Sequence, residues 1–282
     1  MDRPVNLPKL DIPGLLRQHG LHPEKSLGQN FLVDESALQQ VVMAAEISPD
    51  EIVLEIGPGL GSLTRYLAIV ARSVVAVELD HNLISPLLQI VCQYPNVQVV
   101  EGDILALDPG QLVSQQGYVV VANIPYNITS ALIRHLLEAR IPPKRLVLTL
   151  QQEVARRICA LPGDMSLLAL SVQIYGHPEI VAPIPASAFY PPPKVDSNVL
   201  RIDLFPSPLI PTAQLEFFFR LIKAGFSQKR KTLRNALSGG LRLPPSRVAV
   251  ILIEAGIDPM RRAETLDIAD WRHLTICFID QF

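Results

Sequence analysis

Between Ile52 and Phe205 the sequence alternates short runs of β-branched residues with segments of helical spacing, such as the one containing Leu63 and Leu67. The β-branched runs are IVLEI (52–56), SVVAV (73–77), VQVV (97–100), YVVVA (118–122) and RLVLTL (145–150). Strands separated by helix-length segments are typical of βαβ units, which build a mostly parallel sheet with helices on both faces. The sequence therefore predicts an α/β fold.

The end of this alternation and the C-terminal region differ in character. The apolar runs 167–175 (LLALSVQIY) and 199–205 (VLRIDLF) have no helical segment between them, so we expect two strands that pair antiparallel at one edge. The proline-rich stretch 205–212 is typical of a linker, and helix-like segments follow it. We expect a larger domain at residues 1–207 and a small helical domain at residues 208–282.

Composition limits the compartment and the chemistry. The cysteines Cys92, Cys159 and Cys277 are far apart, and the six histidines lack ligand spacing, which disfavours a disulfide framework or a zinc site. The longest apolar stretch is too short to span a bilayer, and no signal peptide precedes it. We expect a cytoplasmic monomer that uses no metal and contacts no membrane.

A glycine-rich loop, EIGPGLG (55–61), follows the first strand of the alternation. Glycines allow the backbone to approach a ligand closely. The spacing is not the GxGxxG of dinucleotide binders, and Pro58 removes a backbone donor that a pyrophosphate would need. A ligand without phosphates is favoured, and a purely structural tight turn is the alternative.

Carboxylates follow the next two strands. Glu78 lies 21 residues after Gly57 and can accept hydrogen bonds from ribose hydroxyls. Asp103 can accept from an adenine amino group, and the neighbouring Ile104 can pack on the ring. Each carboxylate alone could be a solvated strand end. Because ligands of doubly wound sheets bind at the carboxyl ends of the strands, three such features at successive strand ends favour a nucleoside-containing ligand.

The fourth strand ends in Asn123-Ile124-Pro125-Tyr126. An exocyclic adenine amine is a poor nucleophile, since its lone pair is delocalised into the ring. The Asn123 side-chain oxygen and the backbone carbonyl at Pro125 can accept its hydrogens and favour a tetrahedral nitrogen, while Tyr126 stacks on a flipped base. Alignment would carry most of the catalysis, with neither a metal nor a strong base. A strand-end turn with a buried tyrosine is the alternative.

Motifs along nearly the whole chain resemble those of the KsgA/RsmA family of small-subunit ribosomal RNA adenine dimethyltransferases. They are KSLGQNFL (25–32), EIGPGLG (55–61), NIPY (123–126), PPPKVDS (191–197) and KRKTLRN (229–235). The resemblance implies a Rossmann-like sheet that binds S-adenosylmethionine (SAM), with a small C-terminal helical domain that binds RNA.

The resemblance also implies a reaction and a set of residues. Two adjacent adenosines in a hairpin loop near the 3′ end of the small-subunit RNA become N6,N6-dimethyladenosine late in subunit assembly, and SAM becomes S-adenosylhomocysteine. The implied SAM-binding residues are Asn30, Leu32, Gly57, Glu78, Asp103 and Asn123. One segment, 164–168, departs from the longer Lys/Tyr/Gly-containing stretch common in the family, which leaves RNA contacts there open.

Basic residues are concentrated near the C-terminus. From Arg220 to Arg247 there are eight Lys or Arg residues and no Asp or Glu, in a chain of net charge -2. Such a run is often a solvated helix face, but it can also bind phosphates. The candidate RNA-binding residues are Lys194, Lys229, Arg230, Lys231 and Arg234.

Three other functions are compatible with parts of this pattern. The related Erm enzymes methylate a large-subunit adenine and share QNFL- and NIPY-like motifs. An assembly factor would bind the immature subunit mainly as a checkpoint. A dinucleotide-dependent oxidoreductase would share the sheet, but the sequence lacks GxGxxG at the first strand end.

Overall fold

The computed structural model describes residues 7–113, 115–125 and 128–281. The strands are β1 (Phe31–Leu32), β2 (Ile52–Ile56), β3 (Ser73–Glu78), β4 (Val97–Glu101), β5 (Val119–Asn123), β6 (Arg145–Gln151), β7 (Gly176–Ile184), β8 (Phe189–Tyr190) and β9 (Ser197–Leu204). The helices are α1 (Ile12–Gln18), α2 (Glu35–Ala45), α3 (Ser62–Val70), α4 (His81–Val91), α5 (Pro109–Val113), α6 (Thr129–Leu137), α7 (Gln152–Ile158), α8 (Leu167–Gln173), α9 (Thr212–Phe226), α10 (Leu233–Leu241), α11 (Pro245–Glu254) and α12 (Ile268–Ile279).

The main sheet has the strand order β4-β3-β2-β5-β6-β9-β7. The pairs from β4 to β6 are parallel, and β9 runs antiparallel to β6. The chain moves from β2 outward through β3 and β4, then returns to the other side of β2 with β5. This reversal creates a switch point between β2 and β5, where the carboxyl ends of the strands leave a crevice for a ligand. The predicted α/β fold is confirmed.

Hydrophobic side chains on one face of the sheet explain why these segments fold as strands. Val53 of β2, Val121 of β5 and Val147 of β6 are buried against Val41 of α2 and Leu67 of α3. Parallel strands that are covered on both faces need continuous apolar runs, which is the pattern seen in the sequence. The switch point therefore lies on a rigid, well-packed sheet.

A small antiparallel pair lies apart from the main sheet. Phe31 pairs with Tyr190 and Leu32 pairs with Phe189, which joins β1 to β8. Residues of the KSLGQNFL segment are thereby tied to residues just before the PPPKVDS segment. Two motifs that are about 160 residues apart in sequence thus form one structural element of this unit.

The chain divides into two compact units. One comprises residues 7–155 with Pro178–Leu204, and the other comprises Arg156–His177 with residues 205–281. The expected larger domain, residues 1–207, included the segment 156–177. The structure instead places this segment with the C-terminal helices, where α8 packs on α9 and the Gly163 amide donates to the Glu264 carbonyl.

Most of the segment 167–175 is the helix α8 and not the predicted strand. Ser166 caps α8 by accepting a hydrogen bond from the Ala169 amide, at 3.1 Å. A short, mostly apolar run has no periodicity that distinguishes a buried helix from a strand. The outer strand is β7, whose Pro178 and Pro183 obscure it in the sequence. It lies at the sheet edge, where prolines are tolerated because no further strand needs their missing N–H.

The C-terminal unit has its own core of aromatic residues. Trp271 of α12 is buried and stacks on Phe226 of α9, with ring centroids 5.8 Å apart. Gly225 lies so close to the indole ring that an added Cβ would be 2.4 Å from it. Asp267 and Asp270 form a capping box that fixes the start of α12. The helical character predicted for residues 208–282 is present in the described part of this region.

Candidate cofactor and base-binding cleft

The glycine-rich loop lies at the carboxyl end of β2. Gly57, Gly59 and Gly61 have φ of 70°, 58° and 82°, a region that favours glycine over other residues. At Gly59 an added Cβ would also lie 2.9 Å from the Phe31 ring. The loop leads into α3, and no side chain caps that helix start. The sequence thus provides a close-packed turn whose backbone lines a cleft.

Glu78 at the end of β3 holds this loop in place. Its Oε2 accepts the Gly59 amide at 2.9 Å, and its Oε1 accepts the Asp80 amide at 2.9 Å. The residue is only 6% exposed, and burial raises the pKa of its carboxyl above the ordinary value although these amides oppose the shift. Each carboxylate oxygen has further lone pairs, so Glu78 can also accept from a ligand in the cleft.

Asp103 and two apolar side chains form the next part of the cleft wall. The Asp103 Oδ1 accepts the Leu105 amide at 2.9 Å, which fixes the carboxylate after β4. Ile104 is buried beside it, whereas Leu79 lines the same cleft and is 53% exposed. A carboxylate with apolar neighbours suits a flat heterocycle that carries an amino group.

Gln29 and Asn30 approach the strand ends from the N-terminal segment. The Gln29 amide nitrogen donates to Asp80 Oδ2 at 2.7 Å, and its oxygen accepts the Glu24 amide at 2.8 Å. The Asn30 side chain donates to the Gly28 carbonyl at 3.1 Å. Both residues line the cleft. The segment therefore forms part of the cleft wall.

Asn123, at the end of β5, lies against this same segment. Its Nδ2 donates to the Asn30 carbonyl oxygen at 2.8 Å, so its Oδ1 remains available as an acceptor. The Pro125 carbonyl accepts from the Ile128 amide at 3.3 Å and from the Thr129 hydroxyl at 3.5 Å. Tyr126, the expected stacking residue, lies outside the described residues.

The structure brings most of the expected SAM-binding residues together. The cleft is open to solvent at its mouth. The expected residues that line it are Asn30, Gly57, Glu78, Asp103, Asn123 and Pro125. Leu32 does not line it, because its side chain is 4% exposed and packs in the hydrophobic core. Sequence reasoning missed Gln29, Leu79 and Phe189, of which only Gln29 lies in a quoted motif.

A buried carboxyl group lies just before the glycine-rich loop. Glu55 is 1% exposed, and this burial raises its pKa to about 8. Its Oε2 has no hydrogen-bond partner among the residues that the structure describes. Burial of a carboxyl favours its neutral form. We therefore expect Glu55 to be mostly protonated at neutral pH, next to the glycine-rich loop.

The candidate RNA-binding residues lie on exposed parts of both units. Lys229, Arg230 and Lys231 are exposed in the turn between α9 and α10, and they form no side-chain ion pair with the described residues. Arg234 is half-buried at the start of α10 and contacts Asn235 at 3.4 Å. Lys194 is exposed in the loop before β9, in the other unit.

The described residues contain neither a candidate metal site nor a candidate membrane-spanning helix. Across residues 7–113, 115–125 and 128–281, no three His, Cys, Asp or Glu side chains lie where they could jointly bind a metal ion. Within those same ranges, every helix is too short or too polar to cross a membrane.

Comparison with known proteins assigns the family. The sequence profile of ribosomal RNA adenine dimethylases matches residues 21–279 of this chain. The chain belongs to the ribosomal RNA adenine dimethylase family. The resemblance indicated by the five motifs is thereby confirmed, and the oxidoreductase alternative is removed.

Curated members of the family align over nearly their whole length. A ribosomal RNA small subunit methyltransferase A from Dehalococcoides mccartyi strain CBDB1 is 42% identical over 284 residues, which cover 98% of each chain. A protein of the same name from Moorella thermoacetica is 42% identical over 272 residues, covering 93% of this chain and 94% of its own. Membership therefore extends over both units.

Solved structures of adenine dimethylases share the fold. A dimethyladenosine transferase from Plasmodium falciparum has a TM-score of 0.78 at 30% identity, covering 89% of this chain and 98% of its own. The 23S rRNA methyltransferase ErmE has a TM-score of 0.72 at 32% identity, covering 88% of this chain and 99% of its own. The predicted Rossmann-like methyltransferase fold is confirmed, and the chain is a ribosomal RNA adenine dimethyltransferase by family.

Proposed function

We propose that this chain uses SAM to convert two adjacent adenosines near the 3′ end of small-subunit ribosomal RNA to N6,N6-dimethyladenosine in the cytoplasm, during late subunit assembly. The observation that carries the chemistry is the orientation of Asn123. Because its Nδ2 is bound to the Asn30 carbonyl, its oxygen is the atom left to face a substrate amine. The small-subunit substrate is supported by relatives of that name at 42% identity over 98% of both chains.

The residues at the strand ends fit SAM. Glu78 can accept from the ribose hydroxyls, Asp103 from the adenine amino group, and Ile104 and Leu79 can enclose the ring. Gly57 fits the methionine part of SAM, because its backbone is open to the cleft. The nearest atom to a Cβ added at Gly57 would be the Asn123 carbonyl oxygen, at 3.8 Å. SAM supplies a methyl group bound to a positively charged sulfur, which needs no metal activation. The tight turn through Pro58 suits a ligand without a pyrophosphate.

The acceptor side acts by orienting the target amine. We assign Asn123 Oδ1 as the acceptor of one amine hydrogen and the Pro125 carbonyl as the acceptor of the other. The two contacts that the Pro125 carbonyl already accepts, at 3.3 and 3.5 Å, are long and compete weakly with a substrate amine. Two acceptors favour a tetrahedral nitrogen whose lone pair can attack a methyl group. Transfer would form the nitrogen–carbon bond as the methyl carbon–sulfur bond breaks, with S-adenosylhomocysteine as the leaving group. The positively charged nitrogen would then lose its proton to solvent. Alignment accounts for most of the rate enhancement.

The exposed basic residues supply affinity for the RNA backbone. Lys229, Arg230 and Lys231 have no ion-pair partners among the described side chains, so their charges are available to phosphates. Lys194 provides a further positive charge in the unit that contains the cleft. Such contacts give affinity without sequence specificity, so the choice of adenosine depends on the cleft and on the shape of the hairpin.

A second candidate is methylation of a large-subunit adenine, as the likeness to ErmE suggests. Labelled SAM can be supplied with undermethylated small subunits and, in parallel, with protein-free large-subunit RNA. We expect label only in the small-subunit arm, with both modified bases mapped by primer extension near the 3′ end. Label confined to large-subunit RNA would support the second candidate, and the Asn123→Ala variant controls for contaminating methyltransferases.

A further inference from the structure

Gln29 connects the N-terminal segment to the end of β3 through a side-chain contact. Its Nε2 donates to Asp80 Oδ2 at 2.7 Å, between residues that are 51 positions apart in sequence. Its Oε1 accepts the Glu24 amide at 2.8 Å. Both polar ends of the Gln29 amide are thus engaged, and the contact with Asp80 is partly buried. Hydrogen bonds of this kind to a charged group are stronger than those between neutral groups.

Asp80 is in turn hydrogen-bonded to Glu78, which lies on the SAM side of the cleft. Its backbone amide donates to Glu78 Oε1, and Glu78 Oε2 accepts the Gly59 amide, both at 2.9 Å. The second Asp80 oxygen accepts the Asn82 amide at 3.0 Å and caps α4. The carboxylates of Glu78 and Asp80 repel each other. The Gln29 amide hydrogen therefore stabilises a negative charge beside Glu78.

Gln29 also immediately precedes Asn30, the residue whose carbonyl orients the Asn123 side chain. The Asn30 carbonyl accepts the Asn123 Nδ2 at 2.8 Å. Residues 29 and 30 belong to neither a helix nor a strand. The adjoining turn is closed by the Gly28 amide, which donates to the Lys25 carbonyl at 3.1 Å. The Gln29 side chain thus ties this peptide to the end of β3, beside the contact that Asn30 makes with Asn123 of β5.

We propose that Gln29 is a positioning residue, which holds the Asn30 carbonyl against Asn123 and the Asp80 carboxylate beside Glu78. It sets the distance between the SAM side and the amine side of the cleft. The proposal rests on the proposed function, since it assigns Gln29 a part in the same site. Its role is exerted through Asp80 and Asn30, so reversing the direction of the Gln29–Asp80 hydrogen bond should preserve it.

The donor and the acceptor of the Gln29–Asp80 hydrogen bond can be exchanged by two substitutions. Gln29→Glu places a carboxylate against the Asp80 carboxylate. In Asp80→Asn the side-chain oxygen stays with the Asn82 amide, so the new NH2 group faces the NH2 group of Gln29, donor against donor. In the double variant Asn at 80 donates to Glu at 29, whose Oε1 still accepts the Glu24 amide. We expect the Kd for SAM by calorimetry to rise about tenfold in each single variant and to return to within about threefold of wild type in the double variant.

A second readout separates positioning from stability. Single-turnover methyl transfer at saturating SAM should be slowed in each single variant and restored in the double variant, while melting temperatures without ligand identify any loss of folding. Gln98→Glu adds the same charge on an exposed position of β4 and should leave both quantities unchanged. Gln29→Met, which removes the donor without adding charge, should weaken SAM binding and slow transfer in the same direction.

The outcomes are distinguishable from failure of the proposed function. If wild-type protein neither binds SAM nor methylates small subunits, the proposed function fails. If wild type does both, but the effects of Gln29→Glu and Asp80→Asn simply add in the double variant, the positioning role of Gln29 is overturned. Normal SAM affinity and normal transfer in folded Gln29→Met would overturn it as well.

Discussion

The Asn123 side-chain nitrogen lies 2.8 Å from the backbone carbonyl oxygen of Asn30, a residue 93 positions earlier in the chain. A carbonyl oxygen can only accept, so the contact determines which end of the Asn123 amide faces it. The other end, an acceptor, is left for the cleft. A residue at the end of β5 is thus oriented by a segment that is far from it in sequence.

Replacing Asn123 tests the amine side of the cleft. Asn123→Ala removes the proposed acceptor, and we expect the single-turnover rate of methyl transfer to fall at least about 100-fold, the scale of losing one well-placed polar group. SAM should remain bound, because Glu78 and Asp103 are unchanged. Rapid-quench measurements with SAM-saturated protein check the rate, and calorimetry checks binding. A near-normal single-turnover rate would show that the Asn123 oxygen does not act on the amine.

Replacing Glu78 tests the SAM side. Glu78→Ala removes a charged acceptor, and we expect SAM affinity to fall about 10- to 100-fold, since hydrogen bonds to charged groups contribute about 1.5–3 kcal/mol. Glu78→Gln keeps one acceptor oxygen, but its amide nitrogen faces one of the two backbone amides that Glu78 accepts, so it should weaken SAM binding as well. Binding to small-subunit particles should be nearly unaffected in both. Calorimetry gives the affinities, and unchanged SAM binding in folded Glu78→Ala would contradict the assignment.

The pH dependence of SAM binding follows from the same residue. Burial raises the pKa of Glu78 above its ordinary value of 4.5. A protonated carboxyl is a weaker acceptor, so SAM affinity should decline as the pH falls through this raised pKa. Glu78→Gln should lack this part of the decline, which calorimetry at several pH values can measure. An identical decline in both proteins would assign the titration to another group.

Much of the site was predictable because it depends on strand ends. The runs before Gly57 and Asn123 and the run that ends in Glu78 are largely buried strands, and the run before Asp103 is the more exposed edge strand β4. Parallel strands bring their carboxyl ends to one edge. The Gln29–Asp80 contact was not predictable, because nothing in local spacing indicates a hydrogen bond between residues 51 positions apart. Pairing of side chains across such distances depends on the assembled fold.

The strand predicted at residues 167–175 failed for a physical reason. The run is mostly apolar, and the cap at Ser166 favours a helix, a signal that hydrophobic periodicity does not contain. Leu32 remains a predicted SAM contact that only its backbone can make, because its apolar side chain packs in the core.

The neutral carboxyl of Glu55 leads to a prediction about stability. Its pKa is raised from 4.5 to about 8 in the folded chain. The folded state thus binds a proton that the unfolded chain releases, and the stability tied to this group is present below pH 4.5 and lost as the pH rises toward about 8. Glu55→Gln mimics the neutral form, so its free energy of unfolding should depend less on pH and exceed that of wild type at alkaline pH.

Urea unfolding at several pH values between these limits measures the effect. Glu179→Gln, at an exposed position of the same unit, is the matched control and should behave as wild type. If Glu55→Gln and wild type lose stability in parallel as the pH rises, then Glu55 is ionised in the folded protein. SAM affinity of Glu55→Gln at neutral pH should stay close to that of wild type, because the charge state beneath the loop is preserved.

The last prediction concerns RNA binding by the C-terminal unit. Changing Lys229, Arg230 and Lys231 to Glu should weaken binding to small-subunit particles and flatten its salt dependence, because each lost phosphate contact removes roughly 0.7–0.9 from the slope of log affinity against log salt. SAM binding should persist, since the cleft residues belong to the other unit. Arg72→Glu, exposed just before β3 and away from the strand ends that form the cleft, controls for charge reversal at a single exposed position. Melting temperatures near wild type are required first. Normal binding by the folded triple variant at several salt concentrations would leave these residues as a solvated surface and direct attention to Lys194.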